Sequence, residues 1–328
     1  LSRLKFLRFA SWSRSLKFQT GLRACSFRYN PDDCLVARES ESSDCKGFMP
    51  ALLRSLGDSV GTSFVMRTST ALPYDFQIST PPPWVWPRAV YVHIPFCAHK
   101  CGYCDFASLA GADHLADRYL SALDREMEQS LGARQQVETI FIGGGTPTRL
   151  DARQLERLVR LIHRWFDLTP DGEWTVEANP GTLDRSKVEV LADGGVNRVS
   201  LGAQSFQPSS LKALERNHDP DDVPRAVDLI TRRIDRWSLD LIFGAPGSTL
   251  DQWYDDLEQA ISLGPSHLSC YGLVYEKGTS LWKQWNAGQV QAVAEEVEHA
   301  MYEATIDRLT AVGLRQYEIS NFARPGHE

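Results

Sequence analysis

The chain has 328 residues, 42% hydrophobic and 23% charged, a globular composition that excludes a disordered or collagen-like polymer. Its net charge of −7, from 35 Lys/Arg against 42 Asp/Glu, argues against a general nucleic-acid or anionic-membrane binder, and no apolar run is long enough to form a transmembrane helix. Seven Cys in so long a chain do not read as a disulfide scaffold, so most of them need another explanation.

Charge is uneven along the chain. Residues 1–65 hold ten Lys/Arg and six Asp/Glu, which leaves 25 and 36 for residues 66–328. The first 28 residues contain seven basic side chains, no acid and several Ser, a composition like that of an organellar transit peptide. They begin with Leu and show no sustained helical or strand period. Two readings stay open for 1–65: a disordered, non-native upstream segment, or a leader. Cys25, Cys34 and Cys45 lie there at spacings no metal motif uses. Residues 66–88 read as a linker, stiffened by Pro81, Pro82 and Pro83.

From residue 89 strands and helices alternate. Ala89 to Pro95 reads as a strand, and Asp113 to Leu131 as a helix with Leu115, Tyr119, Leu120, Leu123 and Met127 at helical spacing. Thr139 to Ile142 is a second strand, ending in Gly143, Gly144 and Gly145. Asp151 caps a helix carrying Leu155, Leu158, Val159, Ile162 and Phe166. Trp174 to Ala178 is a third strand, with a helix through Val188 and Leu191 after it. Arg198 to Gln204 is a fourth, followed by helical stretches near 208–216 and 221–233. Trp237 to Phe243 is a fifth, then a helix from Leu250 to Leu263. His267 to Tyr271 is a sixth, and a long helix over 290–312 stops at Gly313. Tyr317 to Phe322 reads as the first strand of a further region.

Strict alternation implies a parallel sheet with right-handed connections. An open barrel and a doubly wound sheet both fit the pattern. Either places chemistry at the carboxyl ends of the strands.

The first strand runs into Cys97, Cys101 and Cys104 in a CxxxCxxC spacing. Three thiolates within eight residues can wrap one soft-metal centre. A structural zinc wants a fourth Cys or His, and His99 is awkwardly close to Cys97 and Cys101 for that. Three Cys suit a [4Fe–4S] cluster with one iron left open. Other strand ends carry further candidates. Gly144 and Gly145 let backbone approach a ligand closely, and Glu177, among apolar neighbours, wants a cationic or hydroxyl partner.

The segment from Tyr91 through Cys97 to Phe106 resembles the radical S-adenosylmethionine (SAM) superfamily. More closely, it is similar to oxygen-independent coproporphyrinogen oxidases and their relatives, the HemW-type haem chaperones. The likeness covers about 89–328 and recurs at 143–148, 176–181, 201–206, 239–246 and 317–327. It implies a parallel (β/α)6 open, partial TIM-like barrel over 89–313, with 314–328 beginning a C-terminal α+β domain. It implies a [4Fe–4S] cluster on Cys97, Cys101 and Cys104 and a bound SAM. Gly144, Gly145 and Thr146 would meet the amino-acid end of SAM, and Arg216, expected on a helix, its carboxylate. Glu177, with Gln204 and Asp240 at matching strand ends, and Tyr91 and Val274 would complete the SAM contacts.

Two functions follow from that resemblance. One is a haem chaperone that keeps cluster and SAM and passes haem to acceptor proteins. The other is an oxidase that decarboxylates two porphyrinogen propionates through a 5′-deoxyadenosyl radical. Asp105 and Phe106 after the last Cys match the chaperone group, and residues 66–88 are short for an oxidase's amino-terminal segment. An electron donor of flavodoxin or ferredoxin type is implied, and a cytoplasmic location, or a mitochondrial one if 1–28 is a leader. No nucleic-acid partner is expected. The family pattern continues beyond Glu328, so the sequence reads as truncated and no haem ligand is assigned.

Overall fold

The computed structural model describes residues 88–328. The readings for 1–65 and 66–87 lie outside the described residues. The first half runs β1 (Ala89–Ile94), β2 (Phe96–Cys97), β3 (Leu109–Ala110), α1 (Ala116–Leu131), β4 (Gln135–Gly144), α2 (Ala152–Trp165), β5 (Phe166–Ala178), α3 (Arg185–Asp193) and β6 (Arg198–Gln204). The second half runs α4 (Pro208–Ala213), α5 (Asp222–Thr231), β7 (Arg236–Phe243), α6 (Leu250–Ser262), β8 (His267–Gly272), α7 (Ser280–Asn286), α8 (Glu295–Ala311), β9 (Arg315–Gln316) and β10 (Asn321–Ala323).

The main sheet has the order β1-β4-β5-β6-β7-β8-β10-β9. Its first six strands are parallel neighbours, and β10 pairs antiparallel with both β8 and β9. The end strands β1 and β9 do not pair with each other, so the described sheet is an open α/β barrel of six parallel units.

Side chains alternate across every strand, and this sets what each face does. Val92, Ile94, Ile140, Ile142, Trp174, Val176, Val199, Leu201, Leu239, Leu241 and Leu268 are all buried, in one core with Leu120, Leu155 and Leu257 of the helices. Each buried Leu or Ile contributes ~1.5–3 kcal/mol. A one-residue slip would put all of them on the wrong face, so the register is strongly specified. The intervening positions are Tyr91, His93, Phe141, Glu177, Ser200, Asp240, Ser269 and Tyr271. The face away from the helices is therefore polar and aromatic.

Local signals place the helices. Asp151 accepts from the Gln154 amide at 2.7 Å while the Gln154 side chain accepts from the Asp151 amide at 3.1 Å, a reciprocal cap at the predicted start of α2. Four details differ from the sequence expectation. Phe166 leaves the helix and opens β5, because Phe166 to Leu168 pair with Gln135 to Val137 before a bulge. The long helix begins at Glu295, not 290. A separate short helix, α7, precedes it and is capped by the Thr279 hydroxyl, which accepts from the Trp282 amide at 3.1 Å. The stretch 317–322 is not one strand: Tyr317 to Ser320 turn the chain between β9 and β10, and β10 extends the main sheet.

Candidate functional site

The strand ends converge on the loop after β1. Pro95 accepts from the Leu109 amide at 2.7 Å and Cys97 from the Gly111 amide at 3.2 Å, which ties both ends of a loop holding Cys97, Cys101 and Cys104. All three thiols are free and half-buried. Burial pushes the Cys104 thiol up; a backbone hydrogen bond at Phe106 opposes this, and the Cys101 and Cys97 sulfurs add to the rise. No three His, Cys, Asp or Glu side chains among the described residues gather as ligands of a single ion.

The glycine turn at the end of β4 lies beside this loop. The amides of Gly145 and Thr146 donate to Ile94 and Phe96 carbonyls, each at 2.8 Å. Thr146 Oγ1 then stands 3.8 Å from Cys97 Sγ. Gly144 has φ +117°, and a Cβ there would lie 2.5 Å from the His93 ring. That ring is fixed at both nitrogens: Nε2–H donates to the Ala107 carbonyl at 2.8 Å and Nδ1 accepts from the Tyr91 hydroxyl at 3.1 Å. Tyr91 itself is 58% exposed and stacks on Phe141.

Glu177 accepts the Gly144 amide at 2.9 Å. That backbone donor, not the cation or hydroxyl expected from the sequence, is its bonded partner. Burial pushes its carboxyl up to about 7, the Gly144 bond opposes the shift, and the Asp240 charge adds to it. Asp240 lies within β7 rather than at its end. It accepts from the Ser200 hydroxyl at 2.9 Å. Burial raises its pKa too, against hydrogen bonds from Ser200 and Ser269.

Arg216 follows the turn after α4; it is not on a helix. Its Nη1 donates to Cys101 Sγ at 3.4 Å and its Nη2 to the Gly202 carbonyl at 2.8 Å. Its Nε is buried without a partner. Burial works against its charge, but Tyr103 and Cys101 hold its pKa above the usual value. Gln204 ends β6 at φ +66°, beside the bulge that starts at Gly202. Val274, after β8, is 61% exposed.

The structure therefore gathers Cys97, Cys101, Thr146 and Arg216 at one strand-end region, with Gly144 and Glu177 joined beside it. Sequence reading missed Tyr103, a charge neighbour of Arg216, and the Ser200–Asp240–Ser269 network. The alternation of Ser200 with Val199 and Leu201, and of Ser269 with Leu268 and Cys270, is the signal that points to that network.

An open parallel barrel with three thiols after its first strand and a glycine turn after the next is the layout of a radical SAM protein. Residues 91–260 match the family model of the Radical SAM superfamily, and the chain belongs to that superfamily. The chain is 40% identical over 248 residues to the heme chaperone HemW of Bacillus subtilis (strain 168), covering 74% of this chain and 65% of that protein. It is 37% identical over 248 residues to the heme chaperone HemW of Escherichia coli (strain K12), covering 74% and 64%. Among solved structures, coproporphyrinogen III oxidase (HemN) from Escherichia coli superposes with a TM-score of 0.68 at 27% identity, over 74% of this chain and 57% of that one. The chain thus spans less than two thirds of the length of these relatives.

Membership implies a [4Fe–4S] cluster and SAM. The residues present fit both. Three free thiols carried on one loop are soft donors of the kind iron takes. The buried, unpartnered Nε of Arg216 suits an anionic ligand. No helix among the described residues is long and apolar enough to cross a membrane.

Proposed function

We propose that this chain holds a [4Fe–4S] cluster on Cys97, Cys101 and Cys104, binds SAM over its strand ends, and serves as a haem chaperone that passes haem to acceptor proteins. The observation that carries this reading is the 36–40% identity to several proteins named heme chaperone HemW. Asp105 and Phe106 after Cys104, the pair that resembles the chaperone group, support it. When bound, cluster and SAM together supply one-electron cleavage of a carbon–sulfur bond.

Each residue has a role in that reading. Arg216 presents its planar guanidinium to the SAM carboxylate while keeping one nitrogen on Cys101. The main chain of Gly144 and Gly145, with Thr146, lies along the amino-acid end. Glu177, Gln204 and Asp240 hold hydroxyl and amine groups, and Tyr91 and Val274 flank the ligand. Haem, an electron donor of flavodoxin or ferredoxin type and haem acceptors are the proposed partners, and the proposed location is the cytoplasm.

A second reading is an oxygen-independent coproporphyrinogen III oxidase, favoured by the superposition on HemN. The test is anaerobic reconstitution with iron and sulfide, then incubation with reductant, SAM and either haem or coproporphyrinogen III. Stable haem binding without decarboxylation is the expected result. Conversion of coproporphyrinogen to protoporphyrinogen would replace the chaperone reading with the oxidase.

A further inference from the structure

We propose that Glu215 is a positioning residue that holds the Cys97–Cys104 loop in shape before any cofactor arrives. The proposal rests on reading that loop as the cluster-bearing segment.

Glu215 stands at φ +55°, one of two non-glycine residues with positive φ among those described. A β-carbon is disfavoured there, and such backbone persists only where its surroundings impose it. The turn after α4 accounts for the backbone, since the Glu215 amide donates to the Lys212 carbonyl at 3.1 Å. It does not account for the carboxylate.

That carboxylate is shared by two other segments. Oε1 accepts from Ser280 Oγ at 3.0 Å and from Gln284 Nε2 at 3.0 Å, both on α7. Oε2 stands 3.8 Å from His99 Nε2, inside the cysteine loop. The carboxyl also rests on the bare Cα of Gly102. A Cβ there would lie 2.8 Å from Glu215 Cδ and 3.1 Å from Cγ. Pinned by Ser280 and Gln284, this side chain cannot easily swing aside.

The backbone repeats the arrangement. The Gly102 amide donates to the Leu214 carbonyl at 3.2 Å, and the Leu281 amide donates to the Gly102 carbonyl at 2.7 Å. Gly102 lies between Cys101 and Cys104, where the loop has no strand or helix of its own. The 214–216 turn, α7 and the middle of the cysteine loop therefore meet around one carboxylate. Arg216, next in the chain, reaches Cys101 from the same turn. A loop set in this way needs less ordering when its ligand binds.

The test compares the whole chain as wild type, Glu215→Ala, Glu215→Gln, Gly102→Ala and the Gly102→Ala/Glu215→Ala double variant. In the apoprotein, amide hydrogen exchange at Gly102 and Leu281 and alkylation of Cys101 are measured. After reconstitution, iron loss to a chelator is followed. Glu215→Ala is expected to speed all three by about tenfold, the loss of hydrogen bonds to a charged group. Glu215→Gln, which keeps an acceptor for Ser280, restores most of the protection. Gly102→Ala loosens the loop as Glu215→Ala does, and the double variant is no looser than either single one. Wild-type rates in Glu215→Ala would overturn the proposal, as would loosening spread evenly over α2 and α6. Failure of the wild type to take up iron would sink the cluster reading instead, and the apoprotein exchange and alkylation would still decide the role of Glu215.

Discussion

Glu177 on β5 and Gly144 at the end of β4 are joined by one hydrogen bond, from the Gly144 amide to the Glu177 carboxylate at 2.9 Å. The bond ties the two strand ends that flank the proposed SAM site. It does not offset burial, which pushes Glu177 from 4.5 up to about 7. The folded protein thus binds a proton more tightly than the unfolded chain does between those values. This group's contribution to stability is greatest below pH 4.5 and declines as pH rises through 7. Glu177→Gln should remove that decline, so its melting temperature gains on the wild type as pH is raised from 5 to 8. Asp256, pushed up to about 6 by burial, shifts both proteins alike and cancels in the difference. Parallel melting curves for the two apoproteins across that range would refute the assignment.

Gly144→Ala tests the close approach. The variant must place a Cβ 2.5 Å from the His93 ring at φ +117°. An expected cost is about 2 kcal/mol or more, read from urea unfolding. The double variant with His93→Ala should recover the steric part and leave the backbone strain. No loss in Gly144→Ala would mean that the turn relaxes freely.

The amount legible in the sequence differs from place to place, for physical reasons. The strand–helix rhythm was readable because Val92, Ile140, Val199 and Leu239 sit in apolar runs with glycine or proline at their ends. The cysteine loop is readable because its three-Cys spacing is local. What escaped depends on distant partners. Phe166 is a strand residue only because Gln135 offers it an edge. Local spacing places Arg216 on a helix, but α4 ends at Ala213, with the Leu214 amide turning back to Ser210 at 2.9 Å. For Glu177 the sequence points to a side-chain partner, because no sequence signal reports a backbone amide from another strand.

Serine at Cys97, Cys101 or Cys104 should abolish or sharply reduce iron and sulfide retention, since in the proposed site each would supply one of the three thiolates. Cys270→Ser is the control. Cys270 is 1% exposed on the helix-facing side of β8, and burial pushes its thiol far up. Its variant should lose about 1–3 kcal/mol of stability from a buried hydroxyl and keep its iron. Normal iron content in a Cys101→Ser protein would remove that residue from the ligand set.

Arg216→Lys keeps the charge and discards the planar fork. One guanidinium now spans Cys101 Sγ and the Gly202 carbonyl, with Nε free for a ligand. An ammonium cannot make all three contacts. SAM affinity, measured by equilibrium dialysis, should fall about tenfold or more while iron content holds. Unchanged affinity would place the SAM carboxylate elsewhere.

His218 gives a pH response of the opposite sign to that of Glu177. Its Nε2–H donates to the Ala203 carbonyl at 3.0 Å, and its buried Nδ1 has no partner. Burial, with the Arg216 charge adding, pushes its pKa from 6.5 down to about 4. The unfolded chain therefore takes up the proton first as pH falls. The contribution of His218 is intact above pH 6.5 and is lost progressively from there to pH 4. His267, pushed from 6.5 to about 3 by burial and by Arg198, acts in the same direction. His218→Gln, which keeps a donor for Ala203 but cannot protonate, should lose less stability than the wild type when pH is lowered from 6.5 to 4.5. The comparison is best made in the Glu177→Gln background, where the opposing carboxyl no longer titrates. Equal acid sensitivity in the two proteins would show that His218 can protonate without disturbing the fold.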